Sequence, residues 1–294
     1  MLWAVFTLIA AAAQTARNAM QRELTATLGT VGATHVRFLF GFPFALLFLA
    51  IVTLALGESL PHPPLAFWPW VLGGAFTQIA ATATMLSVMG QRSFVVSYAF
   101  IKTEPIHVAL FGLIFLGDKV TPLSAAAILI ATTGVIVISL KPGAAQASTW
   151  RSTAIGLTSG ALFGLSAITY RGAILTLHLQ DFVQTATFTV SVGLVIQAAV
   201  LSLYLGLREP KVMHDILRAW KPSLFAGFMG AFASEFWFLG FAVTSAANVR
   251  TLALVEVLFA QGVTHFVFKQ PTTARELAGV VLVVVGVALL VWAY

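Results

Sequence analysis

Ten runs of about 20 apolar residues, the length a ~30 Å hydrocarbon core asks of a helix, constrain this chain more than any other feature of its sequence. They lie near 2–20, 33–56, 67–89, 94–116, 121–140, 153–177, 182–206, 222–244, 247–268 and 274–293. Only 9% of the 294 residues are charged, against about 25% in a soluble domain. The expected fold class is therefore an all-α polytopic membrane protein with ten transmembrane helices. The longest connection, 208–221, is too short to fold alone. Met1-Leu2-Trp3 runs into apolar sequence with no basic n-region and reads as a first membrane helix rather than a leader. The absence of cysteine excludes disulfides, thiolate metal sites and a cysteine nucleophile.

Residues 141–151, KPGAAQASTWR, are small and polar and bear Pro and Gly, so they read as a linker between two halves, 1–145 and 150–294. Sliding the chain by 152 residues superposes Glu104 on Glu256, Thr121 on Thr273 and Gly134 on Gly286. Sliding it by 156 superposes Gly74-Ala75-Phe76 on Gly230-Ala231-Phe232. Five helices per half is an odd number, so duplicated halves must insert in opposite orientations, as two inverted five-helix repeats.

A formal net charge of +6 would suggest nucleic acid in a soluble protein. Here the basic residues fall in short loops between apolar runs, so the lipid bilayer is the expected partner and nucleic acid is not. Loops after odd-numbered helices hold Arg17, Arg22, Arg92, Lys141, Arg151, Arg208, Lys211, Arg218, Lys221, Lys269 and Arg275; the other side has mainly Lys119, Arg171 and Arg250. Eleven against three places the basic loops in the cytoplasm and both termini on the outer face of the cell (inner) membrane. Arg17 and Arg37 fall near that cytoplasmic edge, where they snorkel or act as gate residues.

FIKTEPIHVALFGLIFLGDKV, residues 100–120, carries charge at membrane depth, where each charge costs about 2.5–3.5 kcal/mol on insertion scales. Lys102 and Glu104 are about 200° apart around a helix axis and do not pair easily with each other. Glu104 shares a face with Phe100, His107 and Phe111, and Lys102 one with Tyr98, Ile106 and Ala109. Pro105 frees the carbonyl of Ile101 and kinks the helix there. Lys102 has either a structural partner, Glu235 or Glu256, or a substrate. Glu235, beside Trp237, and Glu256 complete three acids against one base, an excess that protons or a cation would neutralise. Gln14, Gln78 and Gln197 either line a cavity or bond between helices.

Enzyme-like patterns are weak. Glu104-Pro105-Ile106-His107 is half of a di-iron helix pair, but the repeat has Phe259 in place of the histidine, so no metal is expected. Gly164-Leu165-Ser166 lacks a histidine base, and Gly156, Gly160 and Gly164 at four-residue spacing read better as a close-packing face. Without a Gly-rich phosphate loop, ATP drive is not expected and no cofactor is called for.

Residues 102–138, KTEPIHVALFGLIFLGDKVTPLSAAAILIATTGVIVI, resemble the end of each half of the drug/metabolite transporter superfamily, EamA type, through Glu104-Pro105, Leu116-Gly117-Asp118 and Gly134. HVRFLFG, from His35, resembles its second helix through Arg37-Phe38. The second half departs further, with Glu256-Val257 and Lys269-Gln270 where the family has Glu-Pro and a Gly-acidic pair. The resemblance covers essentially the whole chain and implies ten helices around a central cavity and export of small metabolites, with amino-acid exporters as the nearest comparison. The combined reading is a secondary transporter, not an enzyme, whose partners are a small-molecule substrate and protons. Tyr98, Lys102, Glu104, His107, Gln78, Glu235, Trp237 and Glu256 are its substrate or proton-pathway residues. A multidrug or cationic-metabolite exporter is the alternative, and an intramembrane enzyme or a scaffold the alternative from another class. The sequence carries no signal for an oligomeric state.

Overall fold

A computed structural model describes residues 1–89, 94–139, 150–266, 269 and 273–294. Most of the 141–151 linker, with Arg92, Lys141 and Gln270, lies outside them. Among the described residues every regular element is helical. In chain order these are α1 (Leu2–Leu39), α2 (Phe42–Leu56), α3 (Phe67–Met89), α4 (Phe94–Ile101), α5 (Glu104–Phe111) with a π turn at Gly112–Leu116, α6 (Pro122–Ser139) and α7 (Trp150–Thr176). Then follow α8 (Phe182–Arg208), α9 (Pro210–Arg218), α10 (Trp220–Val243), α11 (Ala246–Leu252), a 3₁₀ turn at Ala253–Val255, α12 (Glu256–Phe266) and α13 (Ala274–Ala293).

Seven stretches of the described residues are long and apolar enough to cross a membrane: 23–56, 97–116, 122–139, 150–176, 182–208, 220–243 and 274–293. The expected spans at 2–20, 67–89 and 247–268 fall on α1, α3 and α11–α12, outside those seven. Each carries polar residues used inside the protein, including Arg17, Gln78 and Arg250. Large apolar residues face outward on α2 (Leu46, Leu47, Ile51, Leu54) and on α13 (Val281, Val284, Val285). A bilayer covers such a surface; water does not.

Two boundaries differ from the sequence reading. Helix continues past residue 20 to a single non-helical residue, Gly29, at φ 69 and ψ 178, a backbone region open in practice only to glycine. The chain folds back there: the Gln21 amide donates to the Ala33 carbonyl at 3.1 Å, although 12 residues of straight helix would span ~18 Å. The 208–221 connection also contains α9, whose Ile216 is buried while Lys211, His214 and Arg218 stay exposed. Val212 and Ile216 pack beside Gly32 of α1, so the tertiary contact shelters a helix too short to persist alone.

Packing between the halves is reciprocal. α1 lies along α10 as α3 lies along α7, and α6 packs on α13. A Cβ on Gly134 would sit 2.7 Å from the Gly279 carbonyl oxygen and 2.7 Å from Val283 N. One on Gly286 would sit 2.9 Å from the Ala127 carbonyl oxygen and 2.5 Å from Ala131 N. Shifting by 152 exchanges these two sets of contacts. On α7, Gly156, Gly160 and Gly164 bring the backbone against Ser97, Ile101 and His107, so that face is a close-packing surface.

Candidate functional site in the membrane interior

The site begins at two interrupted helices. Pro105 has no amide to offer the carbonyl of Ile101, and α4 stops there while α5 starts at Glu104. Lys102 and Thr103 form the turn, with the Lys102 amide on Tyr98 O (3.2 Å) and the Thr103 amide on Phe100 O (3.1 Å). In the second half the chain tightens into its 3₁₀ turn after Leu252, and α12 starts at Glu256. Each glutamate thus opens a helical segment, where the positive end of the backbone dipole favours a carboxylate.

The buried charges pair across the halves. Lys102 Nζ forms an ion pair with Glu256 Oε1 and lies 5.0 Å over the Tyr98 ring. The Tyr98 hydroxyl donates to the same Oε1 at 3.4 Å, and Gln14 Nε2 donates to Glu256 Oε2 at 3.3 Å. Trp237 Nε1 donates to Gln14 Oε1 at 3.2 Å. Arg250 Nε lies 3.1 Å from Glu104 Oε1, an ion pair without hydrogen-bond angles, and its guanidinium sits 4.6 Å over the Trp237 ring. Under the 152-residue shift, Glu104 with Arg250 becomes Glu256 with Tyr98, and both contacts are present.

These side chains surround a cavity lined by Gln14, Arg17, Arg37, Gln78, Tyr98, Lys102, Glu104, Trp237 and Arg250, among others. Its volume is about 30 Å³, room for about two waters. Residues 150–292 match the EamA-like transporter family. No curated protein matches this chain. A crystal structure of another protein aligns over 99% of this chain and 96% of its own length, at 13% identity and a TM-score of 0.71, so the two share a fold. The EamA-like match falls on the half that lacks Glu-Pro, and therefore rests on more than that motif.

Gln78, Tyr98, Lys102, Glu104 and Trp237 line the cavity with Arg17 and Arg37, and Glu256 joins them through Lys102, Tyr98 and Gln14. Two expected residues stand apart. His107 Nδ1 contacts Thr103 O at 3.2 Å and its ring neighbours Phe111. Glu235 accepts from Thr187 Oγ1 at 2.5 Å, between α10 and α8. Gln197 donates to Gln78 Oε1 at 2.8 Å from behind the cavity wall. Ser166 of the Gly-Leu-Ser pattern donates to Gly74 O at 3.2 Å and ties α7 to α3.

The charge count sets Arg250 among the outer-side cations, yet it is 8% exposed and lies on α11, within the residues that match the EamA-like family. The 152-residue shift carries the signal: it sets residue 250 on Tyr98. Arg17 and Arg37, each 3% exposed, are also interior rather than snorkelling residues. The expected excess of acid is reversed at the cavity. Arg17, Arg37, Lys102 and Arg250 face Glu104 and Glu256, a formal surplus of two positive charges. With Arg17 and Arg250 inside the protein, the loop count becomes ten against two.

Toward the termini, Asp118 Oδ1 pairs with Arg171 Nη2 at 3.7 Å. Arg171 Nη1 donates to the carbonyls of Phe241 and Thr244. This ties the loop after the π turn to α7 and to the end of α10.

Proposed function

We propose that this chain is a secondary transporter of the drug/metabolite class that exports small polar metabolites, amino acids foremost, from the central cavity. The observation that carries the reading is the crossed pairing of Lys102 with Glu256 and Arg250 with Glu104 at two interrupted helices. Charges held at membrane depth face a pathway or a partner, and here each partner belongs to the other half. Two inverted five-helix repeats would rock about this point, exposing the cavity alternately to either side. At about 30 Å³ the cavity has room for waters but not for a metabolite, so cargo binding in this reading requires the halves to part. The reciprocal contacts of Gly134 and Gly286 support the repeat.

A substrate carboxylate would meet the cavity cations, while Glu104 and Glu256 would receive an ammonium group when their pairs open. The alternative, a cationic cargo, is disfavoured by the same surplus of positive charge. With both termini outside the inner membrane, a phosphatase reporter fused after Tyr294 is active and one in the 208–221 loop is silent. The decisive experiment is counterflow in proteoliposomes: a loaded unlabelled metabolite should drive accumulation of its labelled form. Absence of counterflow across amino acids, organic acids and organic cations, with protein that remains folded, overturns the reading.

A further inference from the structure

Arg17 and Arg37 have no role in either cavity ion pair. Among the described residues neither forms a salt bridge, although each is 3% exposed. Arg17 Nη2 donates to Asn18 Oδ1 at 2.8 Å, but its Nε and Nη1 have no partner. Arg37 Nη1 donates to Thr82 Oγ1 at 3.3 Å, its guanidinium lies 5.2 Å from the Phe38 ring centroid, and its Nε has no partner. A guanidinium carries five donors and stays protonated, and a buried, uncompensated cation is among the more expensive features a fold can hold. Both line the cavity. Their stems meet over Gly230, where an added Cβ would lie 3.2 Å from Arg37 Cγ and 3.4 Å from Arg17 Cδ. The lack of a side chain there leaves both free to approach one ligand.

We infer that the cavity takes a small organic dianion whose acidic group is held between Arg17 and Arg37. The surplus of two positive charges matches two negative ones. A zwitterion would bring no net charge and leave that surplus in place, and a cation would raise it. Paired guanidinium groups present planar forks to carboxylate or phosphate oxygens, so a dicarboxylate and a phosphate monoester share the required chemistry. The inference rests on the transporter reading above but puts a dianion in place of the zwitterionic amino acid as the foremost cargo, and its binding step is measured without transport.

The test is thermal melting of the detergent-purified full chain at fixed ionic strength, titrated with succinate, glycerol 3-phosphate, alanine or choline. At least one dianion should raise the melting temperature saturably, with no shift from alanine or choline; which dianion acts separates carboxylate from phosphate. Arg17→Gln and Arg37→Gln should each weaken that binding about tenfold or more, while Arg37→Lys keeps part of it. Both Gln variants remove an unpaired buried cation, so they should melt no lower than the parent and folding does not confound the result. Stabilisation by alanine or choline but not by a dianion overturns the inference, as does equal dianion binding in the Gln variants. A panel without any shift overturns it too. Counterflow in the same preparation separates the two readings. Dianion binding without flux keeps this site and sinks the transporter, whereas alanine flux without dianion binding does the reverse.

Discussion

The break between α4 and α5 and the tightening between α11 and α12 lie 152 residues apart and are built differently. In the first, Pro105 removes an amide and the chain makes a true two-residue turn that carries Lys102. In the second there is no proline; three residues wind into 3₁₀ geometry with Leu254 where the first half has Lys102. The cation of the second half comes one helical turn earlier, from Arg250. The acids are thus related by the 152-residue shift, whereas the bases are not. The first pair is the tighter: Glu256 is 5% exposed and also accepts from Tyr98 and Gln14, while Glu104 is 14% exposed with Arg250 at an angle that makes no hydrogen bond. The 152-residue shift aligns the two positions where the backbone is interrupted, and the chain fills each with different chemistry.

The largest expected effect that probes this difference is Glu256→Ala, which strips Lys102, Tyr98 and Gln14 of a shared acceptor and leaves Lys102 buried without compensation. It should cost about 3–5 kcal/mol, read as lower melting temperature and yield. Lys102→Met combined with Glu256→Leu should recover most of that loss. A single variant that melts like the parent removes this pair from the account of the fold.

Arg250→Ala should cost less, about 1–3 kcal/mol, because Glu104 retains some access to water. Equal losses at the two sites would erase the distinction between a tight and a loose pair. Pro105→Ala should change stability by about 1 kcal/mol or less yet let α4 run on into α5, moving Lys102 and Glu104; counterflow should fall while melting barely moves. Parental counterflow would show that the turn is dispensable. Smallest is Tyr98→Phe, which deletes a 3.4 Å contact to Glu256 and should cost about 0.5 kcal/mol, measured against Glu256→Ala in a double-mutant cycle. A coupling energy near zero would remove Tyr98 from the pair.

Much of the site was legible because its signals are local. Lys102 and Glu104 in an apolar run, and the proline beside them, announce a broken helix with charge to dispose of. His107 and Glu235 carried the same kind of signal but are held away from the cavity, His107 by the neighbouring Thr103 carbonyl and Glu235 by Thr187 of α8, since polarity within a span says that a partner exists and not where it is. Arg250 lies just inside the expected 247–268 span yet counts among the outer-side cations in the charge asymmetry; the Ser245 cap starts α11 and carries Arg250 inward.

The sequence alone determined that this chain is helical, spans a membrane and is interrupted at Pro105, because run length and a missing amide act on neighbouring residues. The sign of charge in the interior was decided only by tertiary structure. Arg17 and Arg250 count as loop cations, and Arg37 as a residue of the membrane edge, until helices far apart in sequence fold around them, and Coulomb pairing depends on separations of a few ångströms that no linear spacing encodes.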